Sequence, residues 1–238
     1  MHAKGLLFMK IAGLRKLTLL DFPGRVACVV FTNGCNFRCP FCHNASLVLP
    51  RGEHEDISEE DFFAFLKKRK GILDGVVITG GEPTLAAGLY DFIAAVKREG
   101  YPVKLDTNGS FPEKLRELLK DGLLDYIAMD IKTLPEKYER VAGVKADLEK
   151  LAESIDLIRS GGIPHEFRTT VVKGLHTPED IVGIAKMLGE NEAYYLQGFV
   201  DSGDILAEGC EAFSAEEMHA IADAAKEFCP RCELRGIE

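Results

Sequence analysis

Apolar residues in this chain fall into two alternating patterns. Short runs rich in Val, Ile and aromatic residues occur at VACVVF (26–31), GVVIT (75–79), PVKLD (102–106), YIAMD (126–130), EFRTTVV (166–172) and AYYLQGF (193–199). Their lengths and bordering turn residues predict buried strands. Helical patterns lie between and after them, at GLYDFIAAVKREG (88–100), PEKLRELLKDG (112–122), ADLEKLAESIDLIRSGG (146–162), TPEDIVGIAKMLG (177–189) and SAEEMHAIADAAKEF (214–228). A further one opens at Ser58, with Asp61 three positions on, and stops at Gly71 after the basic KKRK.

Strand and helix alternate about every 25–35 residues, the signature of βα units on a parallel sheet. Right-handed crossovers wind such units in one direction. A closed eight-unit barrel takes about 250 residues. Six units in 238 residues therefore predict an α/β fold, an incomplete (β/α)6 TIM-type barrel with parallel strands, open along one side. One domain is expected: an N-terminal extension (1–25), a barrel core (26–200), and a C-terminal helix and short strand (201–238).

Composition narrows the partners. Lys and Arg total 29 against 38 for Asp and Glu, a formal charge of −9, which argues against a nucleic-acid footprint. Lys10, Arg15 and Lys16 interrupt the apolar N-terminal stretch before membrane-spanning length, so neither a leader nor a membrane anchor is expected. Seven cysteines, three of them crowded into one loop, fit a reducing cytoplasm and metal ligation better than a disulfide framework.

Candidate chemistry sits after the strands, where parallel βα folds collect their sites. The first strand leads into NGCNFRCPFCHN (33–44), the second into GGEP (80–83), the third into DTNG (106–109) and the fourth into DIK (130–132). The fifth carries Arg168 and two threonines, and the sixth Gln197. All of these positions would lie on a single rim.

Cys35, Cys39 and Cys42 are soft ligands suited to iron–sulfur or zinc. Stretched out, the loop would span about 25 Å, so it must curl, with Gly34 and Pro40 supplying turn chemistry. Phe37 and Phe41 could shield the centre. A structural zinc wants four protein ligands, and His43 is awkwardly placed for that role directly after Cys42. A four-iron cluster on three thiolates would instead keep one position open, as catalytic zinc sites do.

The Cys-x3-Cys-x2-Cys loop after a first strand, together with GGEP, resembles the radical S-adenosylmethionine superfamily. CHN (42–44), DTNG and DIK resemble glycyl-radical-enzyme activating enzymes, and residues 13–44 are most similar to activating proteins of anaerobic ribonucleoside-triphosphate reductase. The resemblance implies a [4Fe–4S] cluster on Cys35, Cys39 and Cys42 whose open iron is chelated by S-adenosylmethionine. Reductive cleavage would give a 5′-deoxyadenosyl radical that takes a hydrogen atom from a glycine of a partner enzyme. The implied partners are that glycyl radical enzyme and a flavodoxin- or ferredoxin-type electron donor.

Further roles implied by the resemblance attach to single positions. Gly81 would let backbone approach the methionine moiety, Gly80 belongs with the cofactor, and Glu82 or neighbouring backbone would accept from the ammonium. Asp106, Thr107, Asp130 and the Ala128 carbonyl match a monovalent-cation site. Asn108 belongs with the cofactor, and Lys132 would face its carboxylate or ribose. Phe41 and His43 contact adenine or pack the loop. Arg168 is a carboxylate clamp or an ordinary ion-pair partner. Gln197 stands where some relatives carry a histidine, and the ferredoxin-like insertion of many relatives is absent between Cys42 and Gly80.

Other residues carry less. Cys28 reads as a small core residue. Cys229 and Cys232, in CPRC, read as a structural or redox-labile pair, with the use of Cys210 open. His2, His54, His165, His176 and His219 show no ligand spacing and are expected at the surface or rim. Two rivals remain: a small-molecule radical enzyme such as 7-carboxy-7-deazaguanine synthase, and an iron–sulfur electron carrier or zinc-stabilised binding module.

Overall fold

A computed structural model describes residues 8–49, 56–201 and 203–237; His2 and His54 lie outside these. The strands are β1 (Gly13–Thr18), β2 (Ala27–Thr32), β3 (Gly75–Gly80), β4 (Val103–Thr107), β5 (Tyr126–Asp130), β6 (His165–Val171), β7 (Tyr194–Gly198) and β8 (Cys232–Arg235). The helices are α1 (Ala45–Val48), α2 (Glu59–Lys68), α3 (Leu89–Arg98), α4 (Pro112–Lys120), α5 (Tyr138–Ala142), α6 (Leu148–Ser160), α7 (Pro178–Leu188) and α8 (Ala215–Lys226).

One sheet runs in chain order from β1 to β8. Every neighbouring pair from β2 to β8 is parallel, as the βα rhythm predicts. The order ends at β1 and β8, so the barrel is open between them. One strand goes beyond those expected. β1 comes from the N-terminal extension and pairs antiparallel with β2. It escapes the sequence pattern because it is an edge strand carrying exposed charges, Arg15 and Lys16, on a mostly unburied face. The short strand expected near the C-terminus is β8, which joins β7 in parallel.

Helix boundaries follow local chemistry. Ser58 accepts from the Asp61 amide at the start of α2, and Thr177 and Ser214 close capping boxes on α7 and α8. Proline opens α4 and α7, where its missing N–H costs nothing.

Alternation along the strands separates two environments. Cys28, Val30, Val76, Ile78, Leu105, Met129, Phe167 and Leu196 join the large core with helix residues such as Phe62, Phe92, Leu115 and Ile184. The opposite face lines the lumen. There Phe22, Ala27, Val29 and Val77 form a small apolar cluster against Phe31 and Tyr126. The remaining strands put polar residues inward at alternate positions. No helix among the described residues is long and apolar enough to cross a membrane.

Candidate active site

Except for Ala128, the residues that the sequence assigns to the site line one cavity of ≈ 340 Å³ at the carboxyl ends of the strands. Cys35, Cys39 and Cys42 face it from the loop after β2. Gly80, Gly81 and Glu82 face it from the end of β3, Asp106, Thr107 and Asn108 from β4, and Asp130 and Lys132 from β5. Arg168 and Gln197 complete the rim, with Phe41 and His43 beside the third cysteine. Arg15 and Asp21, which the sequence reading missed, extend the lining to β1 and the turn after it, at the open side.

Backbone contacts curl the cysteine loop. The Gly34 amide donates to the Leu47 carbonyl at 2.8 Å, the Arg38 amide to Ala142 at 2.8 Å, and the Cys42 amide to Cys39 at 3.0 Å. The Arg38 guanidinium closes the turn by donating to the carbonyls of Cys35 and Phe37 at 2.5 and 2.7 Å. Burial pushes all three thiols up, Cys39 to about 12, so the proton-bearing form is favoured until a metal displaces the proton. Among the described residues, no three Cys, His, Asp or Glu side chains converge tightly enough for a single ion. Three thiolates suit a polynuclear cluster, which takes one thiolate per iron, better than a structural zinc site, which takes four protein ligands.

GGEP is built against that loop. The Glu82 amide donates to the Gly34 carbonyl at 2.7 Å, and the Gly81 amide to Thr32 at 2.9 Å. A Cβ on Gly81 would run into the Gly34 carbonyl oxygen, and one on Gly80, which has φ +125°, would strike the Thr32 backbone. The close approach that demands glycine at 81 is therefore to the cysteine loop itself. Gly81→Ala should push that loop outward, at a steric cost of about 1–3 kcal/mol. Iron bound per chain after anaerobic reconstitution should fall severalfold while the far-ultraviolet circular dichroism stays native.

Glu82 was expected to meet an ammonium group, and its surroundings differ. Its carboxylate, 1% exposed, accepts from the hydroxyl and amide of Thr84, from the Thr107 hydroxyl at 2.8 Å and from the Asn108 amide at 2.7 Å. Burial raises its pKa despite these donors. Glu82 thus ties the β3 and β4 ends together, and the Thr107 hydroxyl is spent on it.

The expected monovalent-cation site is also arranged differently. Arg168 donates through Nε to Asp130 at 2.8 Å and through Nη1 to Asp106 at 3.1 Å, so its guanidinium bridges the two carboxylates. Lys104, 1% exposed, donates to Asp106 at 2.7 Å, and Lys132 donates to Asp130 at 3.1 Å. Burial alone would raise both aspartates, but Arg168 and the lysines hold them below the usual carboxylate range. Burial would likewise strip the proton from Lys132, yet Asp130 keeps its pKa above the ordinary lysine value. A second layer lies beneath. Glu166, fully buried, takes a two-pronged contact from Arg235 at 2.8 and 2.9 Å and a hydrogen bond from the Tyr126 hydroxyl at 2.9 Å.

These depressed carboxylates set a pH dependence. Their contribution to stability is complete above the unfolded aspartate value, about pH 4, and is lost as pH falls through the lower folded values. Wild type should therefore be more stable than Asp130→Asn at pH 6 in urea unfolding, and the gap should narrow below pH 4.

Aromatic and histidine positions complete the picture. Phe41 is buried with its ring edge against His176 at 6.2 Å, and His43 stacks on Phe199 at 5.6 Å. His176 is not a surface residue. It is 2% exposed, accepts from the Val172 amide at Nδ1 and donates from Nε2 to the Lys132 carbonyl, and burial keeps it neutral. It fixes the backbone of Lys132 against the end of β6. His165 also has partners, Glu192 and the Ile163 carbonyl. Cys28, Cys229 and Cys232 are fully buried away from the cavity, and Cys210 is half-buried.

Comparison with known proteins agrees with this geometry. Residues 29–188 match the model of the radical SAM superfamily. The chain is 34% identical over 240 residues to the protein named "Putative glycyl-radical enzyme activating enzyme MJ1227" of Methanocaldococcus jannaschii, covering 95% of this chain and 96% of that one. It is 29% identical over 190 residues to a GTP 3′,8-cyclase of Campylobacter fetus, but spans only 54% of that protein. A radical SAM methyltransferase from Sphaerobacter thermophilus shares the fold with a TM-score of 0.70 at 15% identity, over 92% of this chain and 68% of that one. With its three-cysteine cavity inside the matched region, the chain belongs to the radical SAM superfamily, whose cofactors are a [4Fe–4S] cluster and S-adenosylmethionine.

Proposed function

We propose that this protein activates a glycyl radical enzyme, with anaerobic ribonucleoside-triphosphate reductase as the first partner to test. The observation that carries the reading is the match over nearly the full length of both chains to a glycyl-radical activating relative. The cavity's extension to Arg15 and Asp21, beside the open edge of the sheet, supports it. A glycine on a folded partner must enter as a polypeptide loop, which needs a lateral opening.

In this reading Cys35, Cys39 and Cys42 hold the cluster, which supplies the low-potential electron for cleaving S-adenosylmethionine. The protein's own groups bind and orient. Lys132, kept charged by Asp130, offers a cation to the cofactor's carboxylate or ribose. Gln197 and the exposed His43 stand on the same rim for the nucleoside end, with Gly80 and Gly81 beside the cysteine loop. Arg168 works as a fixed strut between Asp106 and Asp130, which sets the position of Lys132. Residues 1–238 act as one domain, with an electron supplied by a flavodoxin- or ferredoxin-type donor.

The test is electron paramagnetic resonance on the reconstituted protein, S-adenosylmethionine, a strong reductant and the candidate reductase. A glycyl radical signal is expected only in the complete mixture. Release of 5′-deoxyadenosine with no radical on any glycyl radical enzyme tried would favour a small-molecule substrate instead.

A further inference from the structure

Asn108 is buried at 6% exposure in the turn after β4, and its amide orientation is fully specified. Its Nδ2 donates to the Asn36 side-chain oxygen at 2.9 Å and lies 3.8 Å from the Cys35 sulfur, within hydrogen-bond range for sulfur. Its side-chain oxygen accepts from the Ser110 amide at 3.0 Å. Asn36 is held in turn, its own Nδ2 donating to the Ser110 hydroxyl at 2.8 Å. The Asn108 backbone amide is locked onto Glu82. Each of these contacts aims one N–H of Asn108 at Cys35. The Phe37 amide, at 3.3 Å, is a second donor to the same sulfur.

We propose that Asn108 is a positioning residue that sets the cluster's reduction potential through Cys35, with Asn36 and Ser110 holding its amide in place. This rests on Cys35 being a cluster ligand. Reduction adds negative charge that spreads onto the thiolate sulfurs, and a donor aimed at one of them stabilises the reduced state more than the oxidised state. Cys39 and Cys42 receive no comparable side-chain donor among the described residues. The asymmetry makes Cys35 the tuned corner.

The experiment is a redox titration followed by electron paramagnetic resonance on anaerobically reconstituted protein, without S-adenosylmethionine, so that turnover plays no part. Asn108→Ala should keep about four irons per chain and become harder to reduce. The expected effect is about tenfold in the reduction equilibrium, or about 59 mV for a one-electron couple. Asn36→Ala, which leaves Cys35 and Asn108 in place but frees the amide to swing, should shift the potential in the same direction by less. Unchanged potentials in both variants would overturn the proposal. If Asn108→Ala takes up no iron, Asn36→Ala decides alone, a same-sign shift supporting the proposal and no shift overturning it. Cys35→Ala separates the two claims, because a four-iron cluster assembled without that sulfur would refute the ligand assignment itself.

Discussion

Replacing Cys35, Cys39 or Cys42 with Ala is expected to give a folded protein that assembles no stable four-iron cluster and releases no 5′-deoxyadenosine. Both halves of that outcome follow from the site. Without metal the thiols are neutral, because the burial of Cys39 and the partial burial of Cys35 and Cys42 raise their pKa values. Alanine replaces each at similar volume, and the loop keeps its backbone bonds to Leu47, Ala142 and Glu82. The fold should therefore survive. The cluster should not, because each sulfur serves one iron and, among the described residues, the cavity is lined by these three thiolates alone. Cys28→Ala is the control. That sulfur is fully buried in the outer core with Val30 and Ile78, outside the cavity lining, so cluster and cleavage should persist. Iron content and 5′-deoxyadenosine yield, measured beside a circular dichroism melt, check all four variants.

The second large effect is on stability. Arg168→Leu removes the cation that bridges Asp106 and Asp130, leaving Asp106 with Lys104 and Asp130 with Lys132. Breaking a buried charge network by deleting one member typically costs about 3–5 kcal/mol. Asp130 is 30% exposed at its side chain, so water screens part of the loss and the low end applies. About 3 kcal/mol corresponds to roughly 6–12 °C in Tm for a chain of this size. Arg168→Lys keeps the charge but loses the fork that reaches both carboxylates, and should recover only part of the stability. A variant melting within 2 °C of wild type (about 1 kcal/mol or less at this size) would mean that the network contributes little.

Much of this site was legible in the sequence for one physical reason. In a parallel βα fold the residues after each strand share a rim, so reading strand ends gathers distant residues without knowing any contact. That reading brought Cys35, Glu82, Asp106, Lys132 and Gln197 to one cavity. It could not say what each group touches. Glu82 looked free for a ligand because nothing in GGEP reveals that Thr107 and Asn108, about 25 residues on, turn their donors toward it. Arg168 admitted two roles, and only its placement between two aspartates decides for the ion pair. Gly81 was assigned a close approach to the ligand, and the close approach it makes within the protein, to the Gly34 carbonyl, was not foreseen.

Lys104, Glu166 and Arg235, the rest of the lumen charges, were missed, although a signal was present. Lys104 and Asp106 alternate in β4, as do Glu166, Arg168 and Thr170 in β6. Polar residues two apart within otherwise buried strands imply a face that is buried yet not apolar. β1 gave no such cue, and Arg235 lies on a four-residue strand too short to show a period.

The central claim, hydrogen-atom transfer from a partner's glycine, is tested most directly by isotope. The partner enzyme should be prepared with α-deuterated glycine, mixed with reconstituted protein, S-adenosylmethionine and reductant, and the 5′-deoxyadenosine analysed by mass spectrometry. The account requires one deuterium in the nucleoside, in step with loss of deuterium from the partner. Unlabelled 5′-deoxyadenosine alongside a fully deuterated partner would contradict it.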